Sequence, residues 1–325
     1  MNLPKLSTLT RRDFTRLTLA GVPASALLSR LPLSAAGKID SRIKGVQIGA
    51  ITYSFRSITD ADEIIKAYVD IGLGEMELMS NHAEQLAGAP RAGRGGGRRG
   101  APLTPEQQAE RDAAIKTFND WRKTATEATF KPVRKKIEDA GIALTLLCYN
   151  MNVNSTTDAG IEYAFIMARG LGVKMISTST QISMAKRLAP VAEKYKIRVG
   201  FHGHDSTDQP DEVSTEETFR RVFDTGAYLG ANLDIGHFVS ANGDPVDFLR
   251  KYHDRITNLH LKDRQRNHLG NVPWGTGQTP IVEILQMLKK EQWDIPANIE
   301  YVLEDPDGVV AGVTKCLDYI KKALA

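Results

Sequence analysis

Ala231-Asn-Leu-Asp234-Ile-Gly-His237 is a short apolar run that ends in an acidic residue and a histidine. Three further apolar runs in the last two fifths of the chain end in His202, His260 and Glu300. The four polar ends are 32, 26 and 40 residues apart, about the length of one strand followed by one helix. Parallel strands in a barrel end at one face, so this spacing predicts that the four side chains meet there.

Four earlier apolar runs complete a series of eight, and they begin at Gly45, Glu75, Ile142 and Val173. Helical patterns lie between the runs, at residues 60–69, 161–170, 185–195, 216–229, 246–252 and 280–291. Strands that alternate with helices form parallel sheets, and eight such units predict an α/β protein with a single (β/α)8 TIM barrel. A doubly wound sheet is the alternative, but a glycine-rich dinucleotide turn does not follow the first strand.

Residues 1–36 have the pattern of an export signal. The twin-arginine sequence Thr10-Arg11-Arg12-Asp13-Phe14 precedes an apolar stretch at 17–28, and Ser34-Ala35-Ala36 offers small residues for cleavage. The apolar stretch is too short to cross a membrane in the mature protein. We predict a twin-arginine signal peptide at 1–36, a barrel domain at 37–325, a periplasmic or secreted location and no membrane association after cleavage. An amphipathic terminal helix with a chance arginine pair is the alternative.

A glycine- and arginine-rich segment interrupts the barrel pattern near residues 84–103. Its composition cannot build a packed core. It follows the second apolar run, so we expect a loop insertion at the catalytic face. The segment is either a solvated excursion or an arginine-rich cover for an anionic or sugar ligand.

The net charge excludes one broad class of function. The formal charge of the chain is +3, but residues 1–36 contain five basic side chains and one acidic side chain, which leaves −1 for the rest. A barrel with this net charge does not favour binding to negatively charged nucleic acid. The sequence also lacks the Gly-x-Ser-x-Gly and Walker motifs of serine hydrolases and phosphate-loop enzymes.

Two imidazoles and two carboxylates at one point predict a divalent-metal site formed by His202, Asp234, His260 and Glu300. The mixed nitrogen and oxygen ligands favour Mn²⁺, with Zn²⁺, Co²⁺ or Fe²⁺ as alternatives. Asp234 could instead cap the helix that follows its strand. His260 could be a core imidazole, but the adjoining Lys262 indicates the edge of the barrel.

Other polar and aromatic residues near the strand ends are candidates for substrate contacts. His204 shares a strand face with His202, so one ring could bind metal while the other faces substrate. Lys262 is a candidate electrophile or substrate anchor, and Glu77 is a candidate contact for a substrate hydroxyl. Trp274 and Tyr53 are either sugar-stacking aromatics or partly buried rings.

The chain resembles the sugar phosphate isomerase/epimerase family of xylose isomerase-like TIM barrels over residues 45–325. The segments that carry the resemblance are Gly72-Leu-Gly-Glu-Met-Glu77-Leu, Leu233-Asp234-Ile-Gly-His237, Leu259-His260-Leu-Lys262-Asp263, Gly275-Thr-Gly-Gln and Ile299-Glu300-Tyr. The ketose 3-epimerases of this superfamily hold a metal with a Glu, an Asp, a His and a Glu. The resemblance implies that Asp234, His260 and Glu300 are metal ligands and that His237 and Arg266 contact a carbohydrate substrate. It also implies a homodimer.

One position departs from the epimerase pattern, because His202 stands where the first metal-binding glutamate is expected. Epimerisation by two facing glutamates would then lack one of its carboxylates. A histidine can still remove a proton next to a carbonyl, so His204, His237 or Glu300 could shuttle the proton. The resulting enediolate could be reprotonated by an isomerase or epimerase, or could expel a substituent in a lyase or dehydratase acting on a 3-keto-glycoside or keto-polyol.

Two rival functions remain open from the sequence. The endonuclease branch of the superfamily acts on abasic DNA with several zinc ions, but the −1 barrel and the export signal argue against it. A non-catalytic carbohydrate-binding protein that has kept the barrel is the other rival. Sugar binding that ignores EDTA would favour that binding protein.

Overall fold

The computed structural model of the protein describes residues 37–91 and 103–325. The predicted signal peptide at 1–36 and the centre of the glycine- and arginine-rich segment lie outside these ranges. Among the described residues, no helix combines the length and the apolar character needed to cross a membrane.

The strands of the described residues form one sheet, and their bounds are β1 Arg42–Ile43, β2 Val46–Ile51, β3 Glu75–Met79, β4 Ala143–Cys148, β5 Met175–Thr178, β6 Arg198–His202, β7 Leu229–Asp234, β8 Ile256–Leu261 and β9 Ala297–Ile299. Strands β2 to β9 pair in parallel in chain order, and β9 pairs with β2 to close the barrel. The short strand β1 pairs antiparallel with the start of β2. The eight-stranded closed barrel confirms the predicted fold class.

The described helices are α1 Ala61–Ile71, α2 Ser80–Leu86, α3 Pro105–Thr124, α4 Glu127–Asp139, α5 Asp158–Gly170, α6 Ala185–Tyr195, α7 Glu216–Phe223, α8 Ile235–Ser240, α9 Pro245–Tyr252, α10 Ile281–Glu291 and α11 Val309–Leu324. Short 3₁₀ turns occur at Thr52–Phe55, Ile182–Met184 and His253–Arg255. One predicted helix, at 216–229, was too long. It ends at Phe223 because a turn follows, and Leu229 already begins β7.

An aromatic cluster supports the part of the barrel wall behind α8. Phe248 lies 5.1 Å from both Phe219 and Phe238 and 4.8 Å from Tyr252, measured between ring centroids. These rings come from α7, α8 and α9, and offset or tilted contacts of this kind add to the stabilisation from burial. The cluster holds the short helix α8 against the wall just beyond the end of β7.

The predicted insertion near 84–103 begins later than expected. Glu84 lies in α2 and is buried, and Arg122 of α3 donates to both of its carboxylate oxygens at 2.7 and 3.1 Å. Tyr163 of α5 also donates to Glu84, at 2.9 Å. A buried carboxylate with three such contacts joins neighbouring helices, so residue 84 belongs to the barrel wall and not to a loop.

Glu75 is a second buried carboxylate, located inside the barrel on β3. Thr145 donates a hydrogen bond to its Oε1 atom, whereas Oε2 has no partner. The neighbouring Gly49 leaves the space that this carboxylate fills, since a Cβ atom at that position would overlap Oε2. Burial raises the pKa of Glu75 to about 8, although the hydrogen bond from Thr145 lowers it.

Glu75→Gln should flatten the dependence of stability on pH. The folded protein binds the Glu75 proton up to a pKa of about 8, above the ordinary value of 4.5. Wild-type stability should therefore fall as the pH rises between these values, by up to about 1.4 kcal/mol per pH unit. Urea unfolding should show that the variant is more stable than wild type at pH 8, with a difference that shrinks toward pH 5.

Glu63→Gln on the exposed face of α1 is the matched control for this substitution. We expect it to change stability by less than about 0.5 kcal/mol at each pH. A Glu75→Gln effect that stays constant from pH 5 to pH 8 would contradict the assignment of a raised pKa to Glu75.

Candidate metal centre

A cavity of about 440 Å³ opens at the carboxyl-terminal end of the barrel strands. The polar side chains in its wall include His202, His204, His237, His260, Lys262 and Glu300. This is the end of a TIM barrel at which active sites are found. The cavity is therefore the candidate functional site of the described chain.

The structure brings the four predicted metal ligands together. His202 ends β6, Asp234 ends β7, His260 lies in β8 and Glu300 follows β9 directly. The four residues are 8 %, 1 %, 2 % and 7 % exposed. One potential ligand atom from each lies within 4.8 Å of the others. The arrangement follows from the strand order, since the four residues stand on adjacent strands of the closed barrel.

Buried polar atoms of the four residues lack ordinary hydrogen-bond partners: Nδ1 of His202 has none, Oδ2 of Asp234 has the ammonium of Lys262 at 3.0 Å, and Nδ1 of His260 and Oε2 of Glu300 face each other. Leaving one such atom unsatisfied costs about 1–3 kcal/mol. The Nδ1 atom of His260 and the Oε2 atom of Glu300 are only 2.8 Å apart. Two ligands bound at about 2.1 Å to one ion have a similar separation. The donors and their spacing fit a divalent metal ion.

Asp234 has two roles, and the structure divides them between its two oxygens. Oδ1 accepts a hydrogen bond of 2.7 Å from the backbone N–H of His237 and caps α8. Oδ2 takes no part in the cap and lies 3.0 Å from Nζ of Lys262. The helix cap that the sequence offered as an alternative is therefore present, and it leaves the other oxygen available as a ligand.

Glu77 lies beneath His260 and fixes its orientation. Nε2 of His260 is 2.8 Å from Oε2 of Glu77, and this oxygen also accepts from Asn258 at 3.0 Å and Asn298 at 2.9 Å. Ser177 donates to the other oxygen. The contact with Glu77 keeps a proton on Nε2, so that Nδ1 of His260 is directed to the centre of the four-residue group.

The position of Glu77 differs from its predicted role. It was expected to contact a substrate hydroxyl, but its side chain is fully buried in β3 and does not line the cavity. Depth within the barrel explains the difference, because Glu77 is the middle residue of its strand and not its end.

The electrostatics of the centre combine neutral and charged groups. Burial and the adjacent His260 ring hold the pKa of His202 well below its usual value, so His202 is neutral near pH 7. Burial lowers the pKa of His260, but Glu77 and Glu300 together raise it to about 10. Burial would raise the pKa of Glu300, yet Lys262 and His260 hold it well below the ordinary value.

Lys262 lies between two of the candidate ligands. Its Nζ atom is 3.0 Å from Oδ2 of Asp234 and 3.0 Å from Oε1 of Glu300. Burial opposes the charge on this side chain, but Asp234 and Glu300 raise the pKa of Lys262 above its usual value. Lys262 is therefore an ammonium group at the edge of the centre.

His237 is held by a network that the sequence reasoning missed. Its Nδ1 atom lies 3.1 Å from Oδ1 of Asp205 and also contacts the guanidinium of Arg264. Oδ2 of Asp205 accepts from Arg264 at 3.0 Å and from Ser240 at 2.9 Å. The hydrogen bonds from His237 and Ser240 and the charge of Arg264 hold the pKa of Asp205 well below its ordinary range. The sequence signal was the acidic residue directly after His204.

His204 lines the cavity beside His237. Their ring centroids are 5.4 Å apart, and the centroid of His204 is 4.9 Å from that of His202. Nδ1 of His204 lies 3.5 Å from a carboxylate oxygen of Glu212. Burial and the neighbouring His237 lower the pKa of His204.

Two predicted substrate contacts do not line the cavity. The guanidinium of Arg266 approaches the carbonyl oxygen of Gly243 at 3.4 Å, and the ring of Trp274 meets Tyr319 edge-on at 5.8 Å. The carboxylate of Asp263 accepts from backbone N–H groups of the 275–279 loop and fixes the chain directly after Trp274, and the backbone N–H of Arg266 donates to Gln278 in that loop. Tyr53, the other candidate aromatic residue, does line the cavity.

Comparisons with known proteins agree with this architecture. A family model described as xylose isomerase-like TIM barrel matches residues 179–321. The chain is 26% identical over 219 residues to the 3-oxo-isoapionate decarboxylase of Pectobacterium atrosepticum, covering 61% of this chain and 76% of that protein. It is 32% identical over 77 residues to the inosose dehydratase of Clostridium tetani, covering 24% of this chain and 25% of that protein.

Solved structures extend the likeness to nearly the whole barrel. The D-psicose 3-epimerase of Clostridium cellulolyticum superposes with a TM-score of 0.57 at 13% identity, covering 86% of this chain and 99% of that one. A sequence identity this low supports a shared fold and nothing beyond it. The closed parallel barrel of this chain is the fold that the family model describes, and that model matches residues 179–321.

Proposed function

We propose that the protein is a divalent-metal-dependent sugar isomerase or epimerase, which removes a proton α to a carbonyl of a sugar or keto-sugar. One observation carries this proposal. Four buried residues on adjacent barrel strands each offer one ligand atom, and these atoms lie within 4.8 Å of one another. Sites of this kind, with mixed imidazole and carboxylate ligands, are typical of divalent metals.

His202, Asp234, His260 and Glu300 would hold the metal, and Mn²⁺ suits their mixture of nitrogen and oxygen donors. When bound, the ion would polarise the substrate carbonyl and stabilise the negative charge that develops on its oxygen. His202, His260 and Glu300 line the cavity, so a substrate carbonyl and an adjacent hydroxyl bound there would lie near the ion. Lys262 could also donate to a substrate oxygen, since its side chain lines the same wall.

His237 is the best placed proton carrier among His204, His237 and Glu300. Its ring is held from behind by Asp205 through Nδ1, which leaves Nε2 for the cavity. Orientation of an imidazole by a carboxylate is a recurrent arrangement for a general base. Glu300 is more constrained, because Lys262 contacts one of its oxygens and His260 the other. His204 lies close enough to His237 to return a proton from a neighbouring position.

Elimination is a second candidate outcome of the same first step. The relatives matched above include a decarboxylase and a dehydratase. Removal of the proton α to a carbonyl gives an enediolate, which can expel a substituent from the β-carbon with its electron pair. A keto-polyol or 3-keto-glycoside would then lose water or its glycosidic oxygen, and the protein would act as a lyase.

We also propose that the enzyme works outside the cytoplasm as a soluble homodimer. Support for export comes from the twin-arginine pattern before residue 36. An enzyme in the periplasm would meet free sugars and glycosides more often than phosphorylated ones. Size-exclusion chromatography with light scattering tests the dimer, and the amino-terminal sequence of protein recovered from the periplasm tests cleavage near Ala36.

Proton exchange in D₂O tests the proposed reaction directly. The purified protein is loaded with Mn²⁺, exchanged into EDTA-free buffer and incubated with ketoses and 3-keto-glycosides, then followed by proton NMR after the metal is removed. We expect deuterium at a carbon next to a carbonyl. Exchange without loss of a group indicates isomerisation or epimerisation, whereas loss of a group indicates elimination. Sugar binding that persists in EDTA, without exchange, would instead support a non-catalytic binding protein.

His260→Ala should abolish metal binding while leaving the barrel folded. The substitution removes one donor atom and exposes the buried carboxylates of Glu77 and Glu300 to each other without the imidazole between them. Isothermal titration with Mn²⁺ should show a loss of affinity of at least about a hundredfold, and circular dichroism should be unchanged. His253→Ala, which removes a ring stacked on Trp293 away from the cavity, is the control. Unchanged Mn²⁺ affinity in His260→Ala would remove this residue from the centre.

Glu77→Gln should weaken metal binding without removing a ligand. The carboxylate of Glu77 orients the His260 ring and makes its Nδ1 atom a better donor. Loss of such a partner typically reduces metal affinity about 10- to 100-fold. The amide keeps the size of the side chain. We therefore expect a clear loss of Mn²⁺ affinity with little change in the thermal unfolding temperature. If Glu77→Gln binds Mn²⁺ as tightly as wild type, the contact with His260 does not support the metal centre.

A further inference from the structure

Lys262 occupies an unusual place for a lysine. It is 3 % exposed, and its Nζ atom lies 3.0 Å from a carboxylate oxygen of Asp234 and of Glu300. Surface lysines contribute little through such pairs. A buried ammonium between two carboxylates interacts far more strongly, because little water screens it.

The ammonium and the proposed metal are directed to the same atom. Oδ1 of Asp234 accepts the hydrogen bond that caps α8, so Oδ2 is the oxygen left for a ligand. Oδ2 is also the Asp234 oxygen beside Nζ of Lys262. The two oxygens of Glu300 are divided instead, with Oε1 near Lys262 and Oε2 near His260. The ammonium of Lys262 and the proposed metal would therefore share the same oxygen of Asp234.

The formal charges show what Lys262 adds to the centre. Glu77, Asp234 and Glu300 are three buried carboxylates, each in contact with His260 or Lys262. A divalent ion together with one ammonium balances these three negative charges. A divalent ion without the ammonium leaves one negative charge in excess, and that excess would bind the ion more tightly.

We propose that Lys262 is a built-in counter-cation that competes with the metal for Asp234 and keeps the metal exchangeable. This inference rests on the metal centre proposed above. Before the metal binds, the ammonium offsets the repulsion between Asp234 and Glu300 and holds both carboxylates in place. After binding, it limits the affinity of the centre for the ion.

Neutral substitution of Lys262 tests the proposal. We expect Lys262→Met and Lys262→Gln to bind Mn²⁺ at least about tenfold more tightly than wild type. The free Mn²⁺ concentration is read from its electron paramagnetic resonance signal during titration, so that the measurement needs no substrate. Both variants should also show a larger rise in unfolding temperature on addition of Mn²⁺, because they lack the internal cation in the metal-free state.

Lys251→Met is the matched control. Lys251 lies at the surface, where its Nζ atom is 2.6 Å from Asp247 and 3.4 Å from Glu216. This variant loses the same charge from between two carboxylates but should bind Mn²⁺ as wild type does. Lys262→Arg keeps the charge and should stay much closer to wild-type affinity than the neutral variants.

The outcomes separate the two proposals. Wild-type protein that binds no Mn²⁺ or other divalent ion would overturn the metal centre itself. Wild-type binding with equal or weaker binding in both neutral variants would overturn only the role of Lys262. If Lys262→Met does not fold, the Mn²⁺ affinity of Lys262→Gln decides the test. The glutamine amide can still donate to both carboxylates. A neutral variant that folds only when Mn²⁺ is present supports the proposal, because the metal then replaces the missing ammonium.

Discussion

The burial of three carboxylates at the end of the barrel is the constraint on which the functional site depends. Glu77, Asp234 and Glu300 are all at least nine-tenths buried, and an isolated buried charge of this kind costs several kcal/mol. The barrel offsets that cost through strand register, which sets Asp234 beside His260 and His260 beside Asn298. The ring and amide donors that the carboxylates need are thus supplied by the neighbouring strands. The same register brings one potential ligand atom of each of the four metal-site residues within 4.8 Å of the others.

The barrel and the four central residues could be predicted from the sequence because both follow from local rules. Apolar runs that alternate with helical patterns specify a parallel barrel, and a polar residue at the end of such a run must lie at its carboxyl-terminal face. His202, Asp234, His260 and Glu300 satisfy that rule. The predicted end of the helix that begins at Glu216 was wrong although the sequence carries a stop signal, since Gly226 lies in the turn at 224–228 that follows Phe223.

Residues whose roles depend on distant parts of the chain could not be placed in the same way. Glu77 lies mid-strand, and the sequence does not say how deep in the barrel its carboxylate sits or that His260 is its partner. Asp205 was missed because its role is defined by Ser240, the last residue of α8, and by Arg264, which follows β8. Arg266 was placed by its spacing from His260, but its guanidinium approaches the carbonyl oxygen of Gly243 and does not line the cavity.

His202 gives the site an asymmetry that bears on the proposed chemistry. On the side of β9 the cavity has the carboxylate of Glu300, whereas His202, His204 and His237 form a wall of imidazoles toward β6 and β7. Two matched carboxylates can exchange a proton on both faces of a carbon with equal ease. One constrained carboxylate opposite several imidazoles cannot do so symmetrically, and neutral His202 serves better as a ligand than as a base. Under the proposed function, the proton would therefore be handled mainly on the imidazole side, by His237. Loss of a substituent from the opposite face of the substrate would then compete with reprotonation of the enediolate. Epimerisation and elimination would therefore diverge only after a common first step.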